Sequence, residues 1–256
     1  MVENGFATIY PFATENVKGY FERMDLKGKS VLTVGSSLDQ TFNAIVLGAK
    51  KITVFDISPK TVEFFKIKRD IILSHERKDL YKILTTKQLR KDLKETQNIS
   101  LSKDMLKGEQ VYSVNNYLES EYKYQLLKKL LKEVDIEFIT GDIFKIDETL
   151  KGKYDRIIFS NILQYLEYYF SGEDVFEILK NNFEKWKEYL NDDGIMQLLY
   201  LYLYTYEDVY KENHAIAVYN LKKVVSALKG YKLDIEWIDG VVSDKNDAIV
   251  TYKKRK

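Results

Sequence analysis

The stretch from Lys29 to Pro59 decides the fold of this chain, and it reads KSVLTVGSSLDQTFNAIVLGAKKITVFDISP. Two short runs rich in β-branched residues, Val31 to Val34 and Ile52 to Phe55, are each followed by turn-forming residues, which is typical of buried strands. The residues between them carry apolar side chains at helical spacing and end near Gly48. The stretch therefore predicts a strand, helix, strand unit.

The two turns that follow these strands predict a ligand site. In a strand, helix, strand unit both strands end at the same edge of a parallel sheet. Gly35 follows the first strand, where a glycine lets the backbone approach a ligand closely. Asp56 follows the second strand about 20 residues later, where an acidic side chain accepts the hydroxyls of a ribose. We expect a nucleoside-like ligand at this edge.

The composition bounds the class of protein. A chain of 256 residues with 45% apolar residues fits one α/β domain with elaborations or two small domains, and a single domain, residues 1–256, is the simpler interpretation. Its 40 basic and 39 acidic residues nearly cancel, so no nucleic acid partner is expected. The absence of cysteine excludes disulfides, thiolate metal sites and cysteine nucleophiles. The two histidines, His75 and His214, are far apart in the sequence, and no metal site is expected.

The N-terminal residues carry no targeting signal that we recognise. Met-Val-Glu-Asn-Gly has neither a basic region nor a long apolar run, and no stretch of the chain approaches about 18 uninterrupted apolar residues. We therefore expect no transmembrane segment and a cytoplasmic protein.

Residues 6–28 precede the first strand and are predicted as an N-terminal helical segment that starts near Thr14. The simpler interpretation is a helix that packs on the sheet. In the alternative, a ligand at the sheet edge is covered by Tyr10, Thr14, Glu15 and Asn16, because polar and aromatic groups cluster around the helix start.

Residues 75–134 do not fit the repeating unit. The stretch is too long for a connection in an α/β domain, and leucines and tyrosines recur in it at helical intervals, as at Tyr124, Leu127 and Leu131. We predict a helical insertion. Its small surplus of basic residues indicates a solvated helix face, with a lid or substrate platform for an anionic group as the alternative.

Further strands resume the alternation after the insertion. They are predicted at Ile136–Thr140, Arg156–Phe159, Ile195–Leu203, Leu233–Ile238 and Ala248–Tyr252. With the first two strands they predict a mostly parallel seven-stranded sheet with helices on both faces.

Two finer predictions concern helices. In the helix after Ser58-Pro59, the spacing predicts a buried stripe of Phe64, Ile67 and Ile71. In a later helix, Ser171 and Asp174 resemble a capping box in which Ser171 is the N-cap.

Four residues follow successive strands and converge at one edge of the predicted sheet: Gly35, Asp56, Asp142 and Ser160. Together they predict a nucleoside pocket, in which Asp142 accepts a hydrogen bond from an exocyclic amine of the base. The competing interpretation is that Asp142 only caps a turn.

The residues at these turns resemble those of a known family. Gly35-Ser36-Ser37-Leu38-Asp39-Gln40, Phe55-Asp56-Ile57-Ser58-Pro59, Gly141-Asp142 and Phe159-Ser160-Asn161-Ile162-Leu163 are similar to the successive motifs of class I S-adenosylmethionine-dependent transferases. More narrowly, they resemble the S-adenosylmethionine:diacylglycerol 3-amino-3-carboxypropyl transferase family of betaine-lipid synthesis. The similarity covers roughly residues 28–75 and 135–200, and it implies a Rossmann-like class I methyltransferase fold.

The resemblance implies a role for each turn. The methionine end of S-adenosylmethionine would lie on Gly35, Ser36, Ser37, Asp39 and Gln40, the ribose on Asp56 beside Ile57, the adenine on Asp142 and Ile143, and the sulfonium beside Ser160 and Asn161. Asp39 would pair with the methionine ammonium, although a role as helix N-cap competes with that.

The implied reaction is attack of an acceptor on a carbon next to the sulfonium, moving either a methyl or a 3-amino-3-carboxypropyl group. The acceptor is expected to be a small or lipid-like molecule. Tyr10, Glu15 and Tyr165 are candidates for taking up a proton, on position alone. The alternative is a non-catalytic protein that binds S-adenosylmethionine as a sensor or for assembly with a partner.

Overall fold

The computed structural model describes residues 8–103, 106–148, 150–163, 166, 170, 174–201, 221–241 and 247–255. It confirms an α/β fold with a mostly parallel sheet of seven strands flanked by helices. The chain forms two compact units, residues 1–145 and 146–256.

The elements of the first unit follow one another in this order: β1 (Thr8–Ile9), α1 (Val17–Phe21), β2 (Ser30–Val34), α2 (Asp39–Val46), β3 (Lys51–Asp56), α3 (Lys60–Ser74), α4 (Arg77–Leu84), α5 (Lys87–Gln97), β4 (Ser100–Leu101), α6 (Gly108–Ser113), α7 (Glu121–Leu130) and β5 (Asp135–Thr140).

The sheet of this unit has the order β5-β3-β2, with all pairs parallel. Val31 to Val34 and Ile52 to Phe55 are buried along their whole length rather than at alternate positions. Strands covered on both faces need such continuous apolar runs. The predicted strand, helix, strand unit is thereby confirmed, with α2 ending just before Gly48, which has a φ of 87°.

The predicted buried stripe of α3 is wrong by one residue. Ile67 and Ile71 are only half-buried, whereas Lys68 and Ile72 are buried together with Phe64. Spacing alone treats a lysine as a solvent-facing residue, and here a lysine occupies the buried stripe.

Residues 75–134 contain the helices α4 to α7, as the sequence predicts. The sequence missed β4, which pairs with β1 as a separate parallel sheet of two strands. Two-residue strands are too short for an alternating pattern.

In the N-terminal segment, α1 begins at Val17 rather than near Thr14, because the Oδ1 of Asn16 accepts a hydrogen bond from the backbone N–H of Gly19.

The second unit contains β6 (Tyr154–Ser160), α8 (Val175–Glu188), β7 (Leu190–Leu199), α9 (Leu221–Ala227), β8 (Leu233–Ile238) and β9 (Asp247–Lys253). Strand β6 pairs with β7 in parallel, and β9 pairs antiparallel with both β7 and β8. The strands predicted at Leu233–Ile238 and Ala248–Tyr252 are confirmed.

Several boundaries in the second unit differ from the sequence predictions. Strand β6 is longer than Arg156–Phe159 at both ends, and β7 begins at Leu190 rather than Ile195. Strand β7 ends at Leu199 rather than Leu203, and Tyr200 has a φ of 65° that interrupts the extended chain. The N-cap of α8 is Asp174, whose Oδ1 accepts from the backbone N–H groups of Phe176 and Glu177. Ser171 lies outside the described residues.

No helix within the described residues is long and apolar enough to span a membrane.

Candidate functional site

Asp56 accepts hydrogen bonds from several turns at the sheet edge of the first unit. Its backbone carbonyl accepts from the N–H of Gly141 at 2.9 Å, and its carboxylate accepts from the N–H groups of Ser36 at 2.9 Å and Ser58 at 2.8 Å. These bonds join the ends of β2, β3 and β5. The structure therefore brings Ser36, Asp56 and Gly141 together, as the order of the parallel strands predicts.

The Asp56 carboxylate has an unusual electrostatic environment. Loss of solvation raises its pKa above the ordinary value for an aspartate. Hydrogen bonds from Ser58, Thr61 and Ser36 oppose this effect by favouring the charged form. The neighbouring Ile57 is one of the more exposed large apolar residues.

Gly35 is required by the protein's own packing. A Cβ at this position would lie 2.5 Å from the Oδ2 of Asp56 and 2.5 Å from the Cγ2 of Thr61. Contacts this short do not occur without a shift of the neighbours. The glycine thus lets the Asp56 carboxylate lie directly against the turn.

The turn after Gly35 has an uncommon backbone. Ser36 and Leu38 have φ values of 41° and 69°, in the left-handed region that L side chains rarely adopt. The N–H of Leu38 closes the turn by donating to the carbonyl of Gly35 at 2.6 Å. Ser36 is exposed, whereas Ser37 and Leu38 are buried, so Ser36 is the residue of this turn that faces solvent.

The Asp39 carboxylate is bound by the protein rather than presented at the surface. Its Oδ1 accepts from the Lys68 ammonium at 2.6 Å and from the Tyr117 hydroxyl at 2.7 Å, and its Oδ2 accepts from the N–H of Ala13 at 2.6 Å. Asp39 is also not the helix N-cap that the sequence suggested, because the N-cap of α2 is Leu38.

Gln40 is likewise directed inwards. Its Nε2 donates to the Oε1 of Glu15 at 2.9 Å, and its Oε1 accepts from the hydroxyl of Thr33 at 2.6 Å. Glu15, a candidate proton acceptor from the sequence, is buried in this contact. Tyr10, the second candidate, is half-buried just after β1, and Tyr165, the third, lies outside the described residues.

Asp142 caps a turn, as the competing interpretation of the sequence held. Its Oδ1 accepts from the N–H of Phe144 at 3.0 Å, and Ile143, which is buried, begins the 3₁₀ turn Ile143–Glu148. Within the described residues, Oδ2 has no protein donor. Capping leaves this second oxygen able to accept a hydrogen bond from a ligand.

In the second unit, Ser160 and Asn161 mark the end of β6. Ser160 is buried, and Asn161 has a φ of 55°. The Oδ1 of Asn161 is buried and has no hydrogen-bond partner within the described residues. A buried polar oxygen without a partner is costly, so this atom calls for an explanation such as a water, an ion or a functional role.

The sequence missed three residues of this arrangement, namely Thr61, Lys68 and Tyr117. One signal was present, since Lys68 lies four residues after Phe64 and four before Ile72, on an otherwise apolar stripe. Tyr117 gave no signal, because it lies 78 residues from its partner Asp39. Within the described residues, no group of three or more His, Asp or Glu side chains could hold a metal ion.

No protein-family model matches this chain, and the comparison with curated proteins gives no match. Solved structures are similar to it. The N-methyltransferase NodS from Bradyrhizobium japonicum WM9 superposes with a TM-score of 0.51 at 10% identity, covering 93% of this chain and 94% of NodS. A structure of NodS in complex with S-adenosyl-L-homocysteine gives 0.51 at 10% identity, covering 93% of this chain and 85% of that one.

Magnesium protoporphyrin IX methyltransferase (ChlM) from Synechocystis PCC 6803, with bound S-adenosyl-L-homocysteine, gives a TM-score of 0.50 at 12% identity, covering 93% of this chain and 81% of ChlM. At sequence identities this low, the superpositions establish a shared fold and leave the function open. The narrower resemblance to aminocarboxypropyl transferases stays a prediction. The chain has the α/β fold of these methyltransferases.

Proposed function

We propose that this chain binds S-adenosylmethionine and transfers from it a methyl or a 3-amino-3-carboxypropyl group to a small or lipid-like acceptor. The observation that carries the proposal is the meeting of three strand ends on Asp56. An exposed turn residue, an acidic side chain and a second acidic cap then lie at one sheet edge of the first unit. Nucleoside ligands bind at such edges in parallel α/β folds.

The residues at this edge fit parts of the cofactor. Asp56 would accept the ribose hydroxyls, and the Oδ2 of Asp142 would accept an exocyclic amine of adenine, with Ile57 and Ile143 as apolar neighbours. Asp39 does not fit the methionine ammonium, because its side chain exposes no surface and is already paired with the Lys68 ammonium. We assign Asp39 to the support of the turn instead.

The sulfonium of the bound cofactor supplies the activated carbon, so the protein mainly has to align the acceptor and exclude water. Glu15 is occupied by Gln40 and serves as a support of α2 in this proposal. Tyr10 and Tyr165 stay candidates for the proton acceptor. The prediction from the sequence motifs that Ser160 and Asn161 face the sulfonium stays a proposal.

The choice between the two transfers can be decided by the nucleoside product. Methyl transfer gives S-adenosylhomocysteine, whereas transfer of the aminocarboxypropyl group gives methylthioadenosine. The methyltransferases that share this fold favour the first, and the resemblance of the sequence motifs favours the second. We propose to incubate the protein with S-adenosylmethionine and either diacylglycerol vesicles or a panel of small amines, followed by mass spectrometry of the nucleoside.

A second candidate function is binding without turnover. It is favoured by the internal pairing of Asp39 and Glu15, which leaves these two carboxylates in structural contacts. Tight binding of S-adenosylmethionine with no nucleoside product for any acceptor would support this sensor. Formation of either product would exclude it.

The ribose assignment is testable by itself. Asp56→Ala is expected to weaken S-adenosylmethionine binding by about 1.5–3 kcal/mol, the loss for hydrogen bonds to a charged acceptor. Isothermal calorimetry measures the affinity, and Asp70→Ala, an exposed aspartate on α3, is the control that should bind like the wild type. An unchanged affinity in folded Asp56→Ala would contradict the assignment.

A further inference from the structure

The first unit contains a fully buried lysine, Lys68. The Lys68 side chain exposes no surface, and its ammonium donates to the carbonyls of Pro11 and Ser37 at 2.8 Å each and to the Oδ1 of Asp39 at 2.6 Å. An ammonium has three protons to donate, and all three are used. Lys68 is therefore fully committed to holding other segments of the chain.

Asp39 completes the cluster. Its side chain is also fully buried, and it gathers the Lys68 ammonium, the Tyr117 hydroxyl and the Ala13 N–H. The ring of Phe12 lies 4.7 Å from the Lys68 ammonium, a distance at which a cation is attracted to an aromatic face. We call Lys68, Asp39 and Tyr117 the buried network.

Stability alone does not account for a buried ion pair. Removing two charges from water costs as much as their attraction returns, and apolar side chains of similar volume are often equally stabilising. Burial lowers the pKa of Lys68, which is a sign of this cost, and Asp39 opposes the effect. The buried network does one thing that apolar side chains cannot do, since it holds two backbone carbonyls and one backbone N–H in place.

The held groups belong to the candidate site. The Ser37 carbonyl that Lys68 binds lies between Ser36 and Leu38, the two residues with left-handed backbone. Such a turn persists only where its surroundings fix it. Pro11 and Ala13 belong to the N-terminal segment, which the alternative interpretation of the sequence places over the ligand.

We propose that Lys68 and Asp39 are positioning residues, which fix the turn Gly35–Leu38 and the segment Pro11–Ala13 in the arrangement that binds S-adenosylmethionine. This inference rests on the proposed function. Tyr117 lies in the 3₁₀ turn Asn116–Leu118 of the helical insertion, so the buried network also connects that insertion to the turn. Through Asp39 and Lys68, the insertion and the N-terminal segment are thus linked to the turn that the resemblance assigns to the cofactor.

A variant without the Lys68 charge and a variant without both the Lys68 and the Asp39 charge distinguish a positioning role from a role in stability. Lys68→Met leaves the Asp39 carboxylate buried without its cation, and we expect a large fall in melting temperature. The double variant Lys68→Met/Asp39→Asn has no uncompensated charge and should recover most of that fall. It should still bind S-adenosylmethionine at least tenfold more weakly than the wild type, because the Ser37 and Pro11 carbonyls have lost their donor. Wild-type affinity in the double variant would overturn the proposal.

A matched pair of tyrosine variants provides the control. Tyr117→Phe removes the hydroxyl that donates to Asp39, and Tyr124→Phe removes a buried hydroxyl that donates to the Ile72 carbonyl at 3.1 Å. The chemical change is the same at both positions, and only the first touches the buried network. We expect at least threefold weaker cofactor binding for Tyr117→Phe and wild-type affinity for Tyr124→Phe. Equal affinities of the two variants would contradict positioning.

Hydrogen exchange separates this inference from the proposed function, because it needs no ligand. The N–H groups of Ala13 and Leu38 are hydrogen-bonded in the wild type, and both should exchange at least tenfold faster in the double variant. The double variant could lose this protection even though the wild type does not bind S-adenosylmethionine. That result would support the positioning of the turn by Lys68 and Asp39 and would reject S-adenosylmethionine as the ligand. Unchanged protection together with unchanged binding would reject the positioning role.

Discussion

The role of Gly35 differs from the one that its place after a strand suggests. The sequence explains the glycine by a ligand that approaches the backbone. The structure gives a reason within the protein, because Asp56 and Thr61 occupy the space that a Cβ would need. Packing of the carboxylate against the turn is thus fixed before any ligand binds, which is the kind of preorganisation that binding sites require.

Gly35→Ala should therefore destabilise the folded protein itself. Forcing a methyl group into a filled space typically costs about 1–3 kcal/mol, and we expect a loss in that range by urea denaturation. Gly108→Ala is the matched control, since a Cβ there would come no closer than 3.3 Å to the Tyr81 ring. Similar stabilities of the two variants would argue against the close packing of Asp56 on Gly35.

The raised pKa of Asp56 predicts a pH dependence of cofactor binding. The ribose hydroxyls need the ionised carboxylate, so the affinity for S-adenosylmethionine should fall as the pH falls through the raised pKa, at a higher pH than for an ordinary aspartate. The contribution of Asp56 to the stability of the fold changes with pH in the opposite direction. Because the pKa is higher in the folded state, the contribution of Asp56 to stability is present at low pH and is lost as the pH rises through the folded pKa.

Calorimetric titrations across the acidic range measure this effect. Asp56→Asn cannot ionise, and its binding should vary less with pH than that of the wild type. The same pH profile for both proteins would show that another group controls the affinity.

At the scale of elements, regular apolar patterns predicted the main strands and helices but not all of their boundaries. Strand β8 was predicted with its observed bounds, and β3 differs from its prediction by one residue at each end. The failures have two physical causes. Strands β1 and β4 are too short to carry a pattern, and the stripe of α3 includes a charged residue whose burial depends on a distant partner.

The start of α8 offers a test at this scale. Asp174→Ala removes the side chain that caps the helix, and such a loss typically costs about 1 kcal/mol. Thermal unfolding followed by circular dichroism should show this loss, whereas Asp174→Asn keeps a capping oxygen and should be close to the wild type. Ser171→Ala tests the capping box that the sequence suggested, and a larger loss for Ser171→Ala than for Asp174→Ala would restore that interpretation.

At the scale of the whole chain, the sequence located the candidate site better than it assigned its members. The order of parallel strands brought Asp56 and the turns of Ser36 and Gly141 together, and the structure of the first unit agrees. The internal pairing of Asp39 could not be predicted, because Lys68 and Tyr117 are distant in sequence and only the folded chain brings them near. Motifs report which residues share an edge, while the inward or outward direction of a side chain depends on tertiary contacts.

The balance of 40 basic and 39 acidic residues leads to a prediction about partners. A protein that neutralises many phosphates binds polyanions with a steep salt dependence, and a chain of this net charge has no excess of positive charge to do so. We expect elution from heparin below physiological salt and no salt-dependent retention of RNA or duplex DNA in a filter-binding assay. Tight, salt-sensitive binding to either nucleic acid would contradict the prediction.

The burial of Lys68 makes its amine a chemical reporter of motion in the first unit. Acetic anhydride reacts with amines that reach solvent, and Lys66, exposed on the same helix, should be acetylated at once. Lys68 can react only while the buried network is open, so the ratio of the two acetylation rates gives the fraction of time that the network spends open. Peptide mass spectrometry of a timed acetylation series would thus follow the opening of the turn at Gly35–Leu38 in the unmodified sequence, with and without S-adenosylmethionine.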